Sequence, residues 1–157
     1  VTVRGRSAYF GRPELGLDAL KATHAILSAI WAQSEEISAR GHHPLLGRAF
    51  TLVTGIEGGG LIAVPGECRF SLIRKLLPGE SLDAAAAELE AAIRGAAPEG
   101  ITVEIAWPAG RDHALGGSPA GIDAGHPVAA RLAACLAAAR PGRAGSSAHP
   151  SGRKCPS

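Results

Sequence analysis

The chain has 157 residues, 46% of them apolar and 19% charged, with a mean hydropathy of +0.12 and a net charge of +2. A chain of this size buries a core unaided, hiding about 68–70% of its unfolded surface; its three cysteines, 68, 135 and 155, are odd in number with no C-x-x-C spacing, which excludes a disulfide-stapled mini-domain. No apolar run reaches the ~18 residues of a membrane span, no charged-then-apolar leader is evident, and the charge is too small for a dedicated nucleic-acid binder, so the expectation is a soluble, cytoplasmic globular domain.

Val1 to Arg6 alternates apolar and polar residues and predicts a strand. Residues 7–16 hold two glycines and Pro13 and read as a loop. Leu17 to Ala39 predicts a long helix, with Leu20, His24, Leu27 and Trp31 on one apolar face and Ile26, Ile30 and Ile37 beside them. Gly41, His42, His43 and Pro44 end it. Phe50 to Ile56 is a β-branched strand, and Gly58-Gly59-Gly60 a turn or bulge. Glu67 to Leu77 is a further strand, with Cys68, Phe70 and Leu72 on one face. Ser81 is a candidate N-cap for a helix striped by Leu82, Ala86, Leu89 and Ile93. Ile101, Val103 and Ile105 alternate as a last strand. The order β-α-β-β-α-β is the ferredoxin-like split βαβ pattern, an α+β fold with a four-stranded antiparallel sheet and two helices on one face. A Gly- and Pro-rich linker follows, then a helix from Pro127 to Ala139 whose apolar positions Val128, Leu132, Cys135 and Leu136 suggest a missing packing partner. From Pro141 the composition predicts a disordered tail, of the kind that a shifted reading frame would also produce.

The chain carries no complete catalytic constellation. The histidines at 24, 42, 43, 113, 126 and 149 form no H-E-x-x-H or other tight metal pairing. His24 falls on the apolar helix face, where a satisfied core histidine is expected. Adjacent His42 and His43 do not readily aim at one ion. Glu35 and Glu36 point about 100° apart on a helix, and Asp112-His113 sits in the linker with no nucleophile nearby. Gly58-Gly59-Gly60 lacks the lysine and following helix of a phosphate loop. Exposed aromatics for an RNA-binding sheet are too few.

Two segments resemble the dimerisation, or lid, domain of the zinc metallopeptidase and deacylase family that includes acetylornithine deacetylase, succinyl-diaminopimelate desuccinylase and carboxypeptidase G. Gly5, Pro13, Glu14, Gly16, Asp18 and Ala19 match the family's opening, a strand with G-x-x-(S/A)-H, then P-E-x-G and N/D-A. Gly55 to Gly59 with Val64-Pro-Gly-Glu-Cys68 resembles G-x-x-x-G-G and N-x-V-P-x-x-C, and Arg74 to Glu80 resembles D-x-R-x-x-P-G-E. The resemblance covers residues 1–107 and favours the amino-acid deacylase branch.

The resemblance implies a metal-dependent amide hydrolase whose two zinc or similar ions lie in a separate catalytic domain, with no metal ligand in this chain. It implies a homodimer paired through the first helix, Leu17 to Ala39, and the Phe50–Ile56 strand. It also implies a small peptide or N-acyl amino acid as substrate, with neither nucleic acid nor membrane as partner. Family lids contribute an oxyanion-stabilising His, and an Asn and an Arg that grip a carboxylate. Here the His position holds Tyr9, the Asn position Ile62 and the Arg position Lys75, with Arg74 beside it on the opposite strand face and Ile73 at the family's Asp. The expected organisation is a lid over 1–107, a linker and helix over 108–140 returning towards a catalytic domain, and the tail over 141–157. No catalysis is expected from the chain alone. The alternatives are a stand-alone dimerisation or binding module, and an unrelated ferredoxin-like regulatory domain.

Overall fold

The computed structural model describes residues 1–108, 117, 119, 121–123 and 125–139. The linker pair Asp112-His113 and the tail from Pro141, with Cys155, lie outside the described residues. The chain divides into two compact units, Val1–Ala120 and Gly121–Ser157. In the first, β1 (Thr2–Arg4), β3 (Phe50–Gly58), β5 (Glu67–Lys75) and β6 (Thr102–Glu104) form one antiparallel sheet in the order β3-β5-β1-β6, with α1 (Ala19–Ala39) and α2 (Leu82–Gly95) packed against it. This is the ferredoxin-like arrangement expected from the element order.

A second, two-stranded sheet pairs β2 (Ala8–Tyr9) with β4 (Ala63–Val64). Residues 7–16 are therefore not simply a loop: they hold β2 and a short 3-10 turn, Pro13–Leu15. Strands of two residues carry too little periodicity to be seen in a sequence.

The core explains the sheet registers. Val3, Cys68, Phe70, Ile26, Ile30, Leu89 and Ile93 are buried in one cluster, and each fully buried Ile or Phe contributes about 1.5–3 kcal/mol. Helix α1 starts at Asp18, whose Oδ1 accepts from the N–H groups of Leu20 and Lys21 at 2.9 and 3.0 Å. In α2, Ser81 Oγ accepts from Ala84 N–H at 3.3 Å, the cap its sequence predicts.

The face expected for α1 needs correcting. The helix turns Ala19, Ala22, Thr23, Ile26, Leu27, Ile30 and Ile37 to the core, while Leu20, His24 and Trp31 are exposed. His24 is thus a surface residue. The isoleucines form a continuous row at helical spacing, and the sheet takes that row.

Two side chains lash α1 to the outer edge of β3. Ser34 Oγ accepts from Thr51 N–H at 2.9 Å and faces the Thr51 carbonyl at 3.2 Å, and Ser38 Oγ donates to the Ala49 carbonyl at 2.9 Å. Further along, the β3–β5 register shifts between Val53 and Gly55, leaving Thr54 as an extra residue. The bulge thus falls at Thr54 rather than at the glycine run.

In the second unit α3 (Pro127–Ala139) forms as the sequence predicts, with His126 Nδ1 accepting from Val128 N–H at 3.2 Å. Its apolar positions Val128, Leu132 and Leu136 are exposed.

Candidate functional site

The β2–β4 ribbon positions Tyr9. Its register sets Tyr9 opposite Ala63 and Ala8 opposite Val64, so Ile62, the residue before Ala63, lies at the same end. The two residues at the His and Asn positions are therefore brought together. Tyr9 is 64% exposed, and its ring stands 4.6 Å from that of Phe10. A Cβ on Gly11 would come within 2.8 Å of the Tyr9 ring, so glycine leaves the room this ring occupies. Ile62 has φ 59°, in the left-handed region, which is costly for a β-branched residue. Leu61 is almost fully exposed beside it.

Lys75 and Arg74 lie at the far end of β5. Eight residues separate Glu67 from Lys75, roughly 26 Å at ~3.3 Å per residue. A single copy does not bring Lys75 to Tyr9. The two basic neighbours also differ. The Arg74 side chain is 8% exposed and its Nη2 donates to Glu80 Oε1 at 2.7 Å. Its Nη1 donates to the Lys75 carbonyl, and Glu80 Oε2 accepts from Leu77 N–H at 2.6 Å. Arg74 thus holds the turn from β5 into α2 together. Lys75 lies on the other face, where its Nζ donates to the Leu46 carbonyl and sits 5.3 Å from the centre of the Phe50 ring, a cation–π geometry. The loop carrying Leu46 is closed by paired backbone bonds of 2.8 Å between His43 and Gly47. His43 Nδ1 accepts from the N–H groups of Leu45 and Leu46 at 3.2 Å, so His43 organises a turn.

Away from both ends, Arg40 and Glu88 tie α1 to α2. The Arg40 hydrogen bond holds the Glu88 carboxyl below the usual carboxylate range against a smaller opposing effect of burial. Among the described residues no three His, Cys, Asp or Glu side chains converge to hold a metal ion. The described residues therefore do not make a zinc centre.

The peptidase dimerisation domain family, of the M20 type, matches residues 1–101. The chain belongs to this family. No curated protein sequence matches it at a significant level. Among solved structures it is similar to aminopeptidase PepT from Bacillus cereus ATCC 10987, at 21% identity and a TM-score of 0.52 over 92% of this chain and 35% of that one. It is also similar to a tripeptidase from Staphylococcus aureus subsp. aureus Mu50, at 14% identity and a TM-score of 0.55 over 86% of this chain and 33% of that one. At these identities the likeness carries the fold. The chain spans about a third of the length of these relatives.

Sequence reasoning placed Tyr9, Ile62, Lys75 and Arg74 but missed their surroundings. Phe10 and Leu61 join the Tyr9 end, Leu46 holds Lys75, and Glu80 occupies Arg74. Only Glu80 had a signal, as the last residue of the P-G-E run.

Proposed function

We propose that this chain is the lid and dimerisation part of a metal-dependent amide hydrolase acting on small peptides or N-acyl amino acids, and that two copies pair through α1 and β3. The family match over residues 1–101 supports the first statement. The observation that carries the second is that β3, nine residues long, is an edge strand that exposes Leu52, while α1 exposes Leu20 and Trp31. An uncovered edge is a template for another strand. In the same reading residues 1–107 are the lid, and 108–140 lead back towards a catalytic domain that supplies zinc or another divalent ion. The branch of the family closest in chemistry is the deacylases, and the compartment is the cytoplasm.

Pairing of two β3 edges about a two-fold axis is antiparallel. It carries the Phe50 end of one copy, where Lys75 lies, alongside the Gly58 end of the other, where Tyr9 lies. The length of β5, which keeps these residues at opposite ends in one copy, then ceases to matter. Lys75 supplies a cation for a substrate carboxylate, with Arg74 supporting its backbone from the opposite face. The Tyr9 hydroxyl supplies a hydrogen bond to a developing oxyanion. A lysine keeps the charge of the family's arginine and gives up the bidentate fork.

Sedimentation of the purified chain tests the pairing. A dimer of 15.9 kDa protomers is expected, and Leu52→Lys should weaken it about tenfold. A monomer at high concentration would refute the pairing. Incubation with zinc and N-acetylated amino acids should show no turnover, and hydrolysis would mean that this chain holds a catalytic site of its own.

A further inference from the structure

The loop between α1 and β3 is organised by one imidazole. His43 and Gly47 exchange backbone bonds of 2.8 Å in both directions, which closes Pro44, Leu45 and Leu46 into a short loop. Gly47 has φ 72°, a conformation that suits glycine. So short a loop leaves the N–H groups of its inner residues with no strand opposite. Here two of them turn to one acceptor: His43 Nδ1 takes the N–H of Leu45 and the N–H of Leu46, each at 3.2 Å. The ring does what an Asn or Asp side chain does at the first position of a turn. An imidazole nitrogen accepts only while it carries no proton.

The same loop tethers Lys75. Its Nζ donates to the Leu46 carbonyl and stands 5.3 Å from the centre of the Phe50 ring. Leu46 is therefore held at both of its backbone groups: its N–H binds the imidazole and its carbonyl binds the ammonium. The ring fixes the residue that fixes the lysine. The other charged groups around the loop are engaged elsewhere. Arg40, at the end of α1, is bound to Glu88, and Arg48 Nη1 donates to the Ser38 carbonyl at 2.7 Å. On β5, Arg74 is turned to the opposite face and bound to Glu80. His42 precedes the ring in sequence. Among the described residues no carboxylate pairs with His43.

We propose that His43 is a proton-operated latch on Lys75. Imidazoles take up a proton between about pH 5 and 8. Once His43 is charged, Nδ1 is a donor. The N–H groups of Leu45 and Leu46 then lose their acceptor and meet a donor in its place. The tip of the loop rearranges, the Leu46 carbonyl turns away and the Lys75 ammonium is released to solvent. The new charge on the ring also repels the ammonium that the loop had held. With the ring neutral, Lys75 is engaged by its own loop; with the ring charged, it is free to take an anion. If Lys75 is the cation for a substrate carboxylate, which rests on the reading above, the lid grips that carboxylate harder in mild acid. The latch itself needs neither a substrate nor a second copy.

The lysines at 21, 75 and 154 supply the test. The purified chain is acetylated briefly with acetic anhydride at about pH 8 and about pH 6, to equal labelling of Lys21, which is exposed on α1. Mass spectrometry then gives the labelling of Lys75 relative to Lys21. That ratio should rise about threefold or more at the lower pH, the scale of one hydrogen bond lost. In NMR spectra the backbone amides of Leu45 and Leu46 should shift together over the same range. His43→Asn supplies an oxygen acceptor that does not titrate, so its ratio should stay low at both pH values. His43→Ala should give the high ratio at both, and His42→Ala should behave as the parent chain. A ratio that does not change with pH in the parent chain, or that changes equally in His43→Asn, overturns the latch. Neither result touches the reading of the chain as a lid, which sedimentation tests separately.

Discussion

Arg74 and Lys75 are adjacent in sequence and opposite in employment. The Arg74 guanidinium is enclosed and bonded to Glu80, which also caps the Leu77 N–H. Arg74→Ala would leave Glu80 without its cation and should cost about 2 kcal/mol, read as a lower midpoint in urea with an unchanged slope. Glu88 makes a milder contribution. Its carboxyl titrates below the usual range because Arg40 donates to it, so its stabilisation is present above the unfolded-state pKa and is lost as pH falls through the folded value. Melting temperatures followed down through the acid range should fall less steeply in Glu88→Gln. The pair is largely exposed, so the difference will be small. Ile62 runs the other way. Its left-handed backbone costs of order 1–3 kcal/mol that glycine would not incur, so Ile62→Gly should raise the melting temperature of the chain. A decrease would show that the side chain packs more than its exposure suggests.

Element by element, the sequence announced what repeats and hid what does not. α1, α2 and the four main strands were legible because their apolar positions recur over many residues. The β2–β4 ribbon was not, since two-residue strands have no period. The apolar face of α1 was misassigned for a related reason: the helix has two apolar stripes, and spacing alone cannot say which one the sheet covers. The isoleucine row proved to be the core, while Leu20, His24 and Trp31 are exposed. The glycine of the opening motif was legible as a letter without its reason. A Cβ on Gly5 would come within 2.0 Å of the Leu17 carbonyl oxygen, where the exit of β1 crosses the approach to α1. That contact is with backbone and cannot yield, so Gly5→Ala should separate the two segments and lower the melting temperature more than any exposed Gly→Ala change, such as Gly41→Ala, where nothing lies within 4 Å.

At the scale of the molecule, the residues singled out as a site are parted by the length of a strand, and that could not have been read from the chain. Their alignment with a family motif is one-dimensional, whereas the reach of a side chain depends on which end of β5 it occupies. The bulge at Thr54 has a consequence at this scale. A straight strand edge accepts any other straight edge, so a cell making several related lids would form mixed assemblies at random. A bulged strand bends and twists more sharply at one step, and only a mate bent at the matching step can follow it on both sides. If β3 is the edge at which two copies pair, the bulge at Thr54 would restrict which other edges can follow it. Deleting it should produce a chain that still folds but couples promiscuously with straight-edged lids, visible as hybrid species in native mass spectra of mixtures.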